Sequence, residues 1–231
     1  KGQEPPHPFG PGFLWEAGIE PLIPFPVRGV IWYQGESNAT VDGGGGAPVP
    51  KNVNRSKLEA LITSWRRAWA DQKLPIYFVQ LPGLNRNWPL FREMQLEVAR
   101  SVPNTGMAVT IDLGHPSNVH PKHKKPVGMR LAHLALAHAY RQRVQCGGPR
   151  LLNVDREARM IRLHFDRDVR AASGEDVRGF KIAGHDRLFH RARALVRGKT
   201  VEVSSTIVTS PAALRYGWSG FPDCNLVDSG G

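Results

Sequence analysis

Two short stretches concentrate the side chains that could do chemistry. The first, Gln34-Gly35-Glu36-Ser37-Asn38, offers a hydroxyl, a carboxylate and two amides; the second supplies Asp112, His115, Ser117, Asn118, His120 and His123. A hydroxyl beside an imidazole base, with donors aimed at a developing oxyanion, is the equipment of acyl transfer. Gly35 would let a backbone N–H turn toward that oxyanion, and Gln34 or Asn38 would add a side-chain donor. Ser37-Asn38 after a strand is also an ordinary turn or helix cap. Gly-Glu-Ser-Asn-Ala moreover lacks the second glycine of a G-x-S-x-G nucleophile elbow. Lys122, Lys124 and Lys125 surround the clustered histidines with positive charge, which opposes a cation, so no metal is expected.

Both stretches follow apolar runs. Val27 to Tyr33 and Met107 to Asp112 are rich in β-branched and aromatic residues, as is Ile76 to Gln80 between them. Helical periodicity intervenes: from Asn54, with Leu58, Leu61, Ile62, Trp65 and Trp69 on one face; over Phe91 to Arg100; and from Val127 through Leu131 and Leu134 to His138. Strands alternating with helices predict an α/β fold with a parallel sheet flanked by helices, and in such a sheet both stretches open on the same carboxyl edge. Beyond Pro149 the texture changes to short strands with turn signals: 161–165, 179–183, 193–196, 200–204 and 213–218. We therefore place a boundary near residue 148, with an α/β domain over 1–148 and a small β-rich domain over 149–231.

Composition narrows the function classes. The 231 residues are 41% hydrophobic and 22% charged, enough to bury a core. The formal charge of +11 is scattered along the chain, as far as Arg215, without a long block, and aromatics are 8%, so a nucleic-acid partner is not expected. No apolar run approaches the ~18–20 residues of a membrane span, and Lys1 to Gly10 has no secretory-type apolar stretch. Cys146 and Cys224 form neither a disulfide framework nor a cysteine zinc motif. Asn38-Ala-Thr40 and Asn54-Arg-Ser56 match glycosylation sequons, which are common by chance. A Pro-rich opening without Met and an ending on Ser229-Gly-Gly231 read as a fragment.

Arg28-Gly-Val-Ile-Trp-Tyr-Gln-Gly-Glu-Ser-Asn-Ala39 closely resembles the sialate O-acetylesterase family, a branch of the SGNH hydrolases. Further segments agree in order: Glu20 to Phe25, Arg92-Glu-Met-Gln95, Pro103 to Gly114, Val119-His-Pro-Lys122, Leu214-Arg-Tyr-Gly-Trp218 and Pro222-Asp-Cys-Asn-Leu226. The resemblance implies a partial SGNH-hydrolase-like sheet and an esterase that removes O-acetyl groups from sialic acid or other sugars without a cofactor. Its substrate would be a small molecule or glycan carrying O-acetyl groups, and its parent protein periplasmic or extracellular. His120 matches the family's catalytic histidine, and Gln34, Gly35 and Glu36 match the block beside the oxyanion position. The family's nucleophile belongs to an earlier Gly-Gln-Ser-Asn motif on the first strand, which these residues lack. Ser37 is then an alternative nucleophile. Many relatives carry an Asp just before the Ile-His-Pro step, where this chain has Ser117 and Asn118, so Asp112 is the candidate substitute. A sheet lacking its first strand exposes an edge, and the chain alone is expected to be marginally stable. A noncatalytic carbohydrate-binding or interaction module is the competing class.

Overall fold

The computed structural model describes residues 10–43 and 46–228. Its first sheet has three parallel strands in the order β1 (Val30–Trp32), β2 (Ile76–Val79), β3 (Thr105–Ala108). The central strand β2 is buried at every position, as a strand covered on both faces must be. Its alternation divides the core: Ile76 and Phe78 join Ile62, Trp88, Met94 and Val98, whereas Tyr77 and Val79 join Val127, Leu131 and Leu134. Helices α2 (Lys51–Ala68) and α3 (Pro89–Ser101) thus cover one face and α4 (Lys124–Leu134) the other, after a short α1 (Phe13–Gly18). β1 is an edge strand, and its Ile31 is 66% exposed.

Two buried polar side chains of α3 organise the carboxyl end of β2. Gln95 accepts the Leu81 N–H and donates to Val79 O, each at 2.9 Å. Arg92 donates to Gly220 O at 3.0 Å, to Gly217 O at 3.5 Å and to Ser219 O. Burial pulls its pKa down to about 10, so the guanidinium stays charged at neutral pH.

The remaining strands form a four-stranded antiparallel sheet in the order β4 (Leu151–Arg156), β5 (Met160–Phe165), β10 (Thr200–Ser204), β9 (Arg193–Arg197). A three-stranded sheet follows, in the order β11 (Ala213–Tyr216), β7 (Phe180–Ala183), β8 (His190–Arg191), together with the pair β12 (Leu226–Asp228) and β6 (Val169–Ala171). Ile161, Leu163, Phe180, Ile182, Val201 and Val203 form their apolar core. Among the described residues no helix occurs after 148, and none anywhere is long and apolar enough to cross a membrane.

Several boundaries differ from the sequence reading. The strand expected over 107–112 ends at Ala108, because the Thr110 hydroxyl turns back onto Gln80 O and the Leu113 N–H closes a turn onto Thr110 O. Asp112 therefore lies in a turn rather than on the strand. α2 begins at Lys51, three residues before Asn54. The helix expected to carry His138 does reach it, but α4 keeps its regular form only to Leu134 and continues over Ala135–Ala139 as a wider turn, with Tyr140 N–H bonded to Ala135 O. β4 was not anticipated, and all six of its residues are exposed, which removes the alternation that reveals a strand. Asn54, acceptor of the second sequon, is buried in α2.

Replacing Arg92 by Met removes the donor of Ser219 O and the side-chain donor of Gly217 O and Gly220 O, which keep the N–H groups of Ser219 and Leu84. It should lower the free energy of urea unfolding by ~2–4 kcal/mol. Arg55→Gln, which breaks an exposed pair with Glu59, should change it by less than ~0.5 kcal/mol.

Candidate active site

The chain leaves β1 through Tyr33 and Gln34 and turns sharply at Gly35, whose φ of 148° lies where side chains are strained. A Cβ there would stand 2.6 Å from Phe91 Cε1, so α3 requires glycine at this position on steric grounds as well. Gly35 O accepts the N–H groups of Asn38 and Ala39 at 3.0 Å each, winding Glu36–Asn38 into one 3-10 turn. Gln34 Nε2 donates to Asn38 Oδ1 at 2.6 Å, which fixes one amide against the other and leaves the Asn38 Nδ2 donors without a partner among the described residues. Ser37 is exposed, and its hydroxyl makes no hydrogen bond among the described residues.

The second stretch follows β3. Its entry is held by Arg130 of α4, which grips both oxygens of Asp112 at 2.6 and 2.7 Å and also donates to Val109 O. Asp112 is thus paired with Arg130 and not with an imidazole. Next, Gly114 lies directly on Gly83, with His115 N–H donating to Gly83 O and Asn85 N–H to Pro116 O, both at 3.0 Å. Any Cβ at 114 would collide with that carbonyl. The His115 ring turns inward on its own loop, where Nδ1 accepts the N–H groups of Ser117 and Asn118 at 3.2 and 3.0 Å. Asn118 in turn accepts the His120 N–H at 2.8 Å. The His120 imidazole is exposed and has no hydrogen-bond partner among the described residues. Among the histidines of this loop it therefore differs from His115, whose Nδ1 is already occupied.

Tyr33 ties the two stretches together. Lys124, four residues after His120, sits over the Tyr33 ring at 4.5 Å and donates to its hydroxyl at 3.4 Å. Burial and the nearby Glu36 carboxylate push the Tyr33 phenol up to about 12. The sequence reading missed Tyr33, Lys124, Arg130, Gly83 and Gly114 as site-forming residues. Tyr33 and Gly114 lie within segments that resemble the family, and Gly83 and Gly114 are loop glycines at corresponding strand ends. Gln34, Gly35, Glu36 and Asn38 share one turn, and His120 belongs to a loop anchored beside it through Lys124. Among the described residues no group of His, Cys, Asp and Glu is arranged to hold a metal ion.

Residues 17–137, more than half of the chain and both site stretches, match the family of sialic acid-specific acetylesterases among the carbohydrate esterases. The chain belongs to that family. A carbohydrate acetylesterase from Xanthomonas citri is similar over 94% of the chain and 51% of its own, with 38% identity and a TM-score of 0.85. The sialate O-acetylesterase of Rattus norvegicus is 27% identical over 241 residues, covering 90% of this chain and 42% of its own length. That of Homo sapiens is 30% identical over 149 residues, 55% of this chain and 27% of its own. The chain therefore spans about half the length of the solved acetylesterase and less than half that of these curated relatives.

Within this acetylesterase-family site, Gly35→Ala should destabilise the protein by ~2–3 kcal/mol in urea unfolding, from backbone strain and the clash with Phe91 together. A phenol whose pKa is raised on folding stabilises the native state below its ordinary value near 10 and loses that contribution as pH rises toward 12. Alkaline difference absorbance should show one phenol ionising near pH 12 that Tyr33→Phe removes, with unfolding free energy falling less steeply between pH 10 and 12 in the variant.

Proposed function

We propose that the protein hydrolyses O-acetyl esters of sialic acid or another sugar, with His120 as the general base. The carrying observation is the free His120 imidazole on a loop joined to the Gln34–Asn38 turn through Tyr33 and Lys124. In this reading the imidazole takes the proton of a serine hydroxyl as that oxygen attacks the acetyl carbonyl, then returns it to the departing sugar hydroxyl. Backbone N–H groups near Gly35 and the unpartnered Asn38 amide hold the oxyanion, while the bond from Gln34 fixes that amide. Gln34 and Glu36 contact the sugar beside it.

The nucleophile, in this proposal, comes from a segment outside the described residues that lies along the free edge of β1. Three features support that assignment: the edge position of β1, the exposed Ile31 and the roughly half-length coverage of the relatives. Ser37, without a bond to any imidazole, is the weaker nucleophile, and Asp112 serves to hold the loop through Arg130. The proposal also assigns residues 1–148 to the catalytic domain and 149–231 to a separate β-rich domain, with the parent protein exported to the periplasm or cell exterior. The substrate is the only partner it requires.

The test compares this chain with the same chain joined to its upstream segment, both acting on 4-nitrophenyl acetate. The chain alone should give no turnover above an equal concentration of free imidazole. The longer protein should turn over, losing at least ~10³-fold in kcat/KM with His120→Ala but less than ~5-fold with Ser37→Ala. Equal loss in both variants would make Ser37 the nucleophile. Acetylated-sugar binding by the longer protein without turnover would favour the noncatalytic module.

A further inference from the structure

The β-rich part of the chain pairs some of its cations with carboxylates. Arg162 bridges Glu157 and Glu202, Arg197 reaches Glu202, Arg167 holds Asp166 and Asp228, and Arg178 takes Asp223. The sheet β11-β7-β8 instead gathers cations on one face. Its register sets Arg215 opposite Lys181 and Lys181 opposite Arg191, so three cations stand side by side on one face. Like charges directly opposite across strands are destabilising. The side chains of Lys181, Arg191 and Arg193 nevertheless have neither a hydrogen bond nor an ion pair among the described residues. Arg215 rests instead between two aromatic faces, 3.9 Å from the Phe189 ring centre and 4.7 Å from that of Trp218.

Two members of this row, Lys181 and Arg191, open on a cavity of about 630 Å³ also lined by Arg193, Arg178, Trp218 and Phe221, a volume within the ~300–1,000 Å³ range of small-molecule sites. Two carboxylates share the lining. Asp223 is occupied by Arg178 at 3.0 Å, which leaves Asp176 facing three unpaired cations. Phe221 connects the cavity to the candidate active site, since its ring packs against Gly83, the residue on which the histidine loop is seated.

We propose that this cavity is a binding subsite for a carboxylate-bearing sugar, whose acid group sits across Lys181 and Arg191 and whose ring lies against Trp218. The ligand's carboxylate supplies the countercharge that these unpartnered guanidinium and ammonium groups lack, and the Trp218 ring on the cavity wall, with Arg215 against one of its faces, suits the apolar side of a pyranose. The choice of a sugar rests on the family's carbohydrate chemistry and not on the catalytic proposal, so binding is read with saccharides that carry no acetyl group.

Calorimetry on the full chain would use trisaccharides of galacturonic acid and of sialic acid, with maltotriose as the neutral match. At least one acidic trisaccharide should bind, with maltotriose at least 10-fold weaker. Lys181→Gln/Arg191→Gln and Trp218→Ala should each lose at least 10-fold in affinity. Both polar substitutions are at exposed positions, and an unchanged far-ultraviolet spectrum verifies their fold. Lys57→Gln/Arg67→Gln removes the same charge from exposed positions on α2 and should leave binding unchanged. The proposal is overturned by equal affinity for maltotriose, by equal loss in the α2 pair, by failure of both acidic trisaccharides, or by tighter competition from an oligothymidylate of similar charge.

Discussion

One buried guanidinium sets the relation between the two halves of this chain. Arg92 stands on α3, inside the first core, yet its hydrogen bonds go to carbonyls of residues 217, 219 and 220, more than a hundred positions away. A charge this far from water is tolerable only when several acceptors surround it, and the turn after β11 supplies them. In that position Gly220 packs on the main chain of Leu84 and Arg86, while Phe221 closes over Gly83. The loop after β2 is therefore pinned between α3 and the β-rich part, and the histidine loop is seated on it. Gln95, one helical turn further along, fixes the same strand end from within.

The two halves of the candidate site are held by different physics. The Gln34–Asn38 turn is set by local geometry: a backbone conformation that suits glycine, a helix packed too close for a side chain, and two amides bonded to each other. The histidine loop takes its position from distant residues, with Arg130 at its entry, Gly83 at its middle and Tyr33 against the helix that follows it. In a site assembled this way the His120 imidazole has no hydrogen-bond partner among the described residues, while the neighbouring polar groups satisfy one another.

Legibility in the sequence followed the same division. The parallel sheet and its helices were readable because Ile76 to Val79 and the faces of α2 to α4 carry periodic apolar residues. The Gln34–Asn38 turn was readable because its polar types are contiguous. Asp112 was placed too far along a strand because nothing in Met-Ala-Val-Thr-Ile-Asp marks the point where Thr110 abandons the ladder for Gln80. β4 escaped notice for the opposite reason: an exposed edge strand needs no burial pattern, only the hydrogen bonds of β5. The contacts of Arg92 join positions far apart in the chain, and no local pattern encodes such a pairing. Arg92-Glu-Met-Gln95 stood out as a motif before its role as a clamp was visible.

Two attachments of the histidine loop, one ionic and one between main chains, respond unequally to solution conditions. Dissolved salt weakens the Asp112–Arg130 grip, which is partly exposed. The seating of Gly114 on Gly83 involves only main-chain atoms, which neither titrate nor respond to counterions. Ionic strength can thus relax the mouth of the loop while the register of its histidines is kept. The mouth and the middle of this segment answer to different conditions, because one rests on charge and the other on main-chain contact.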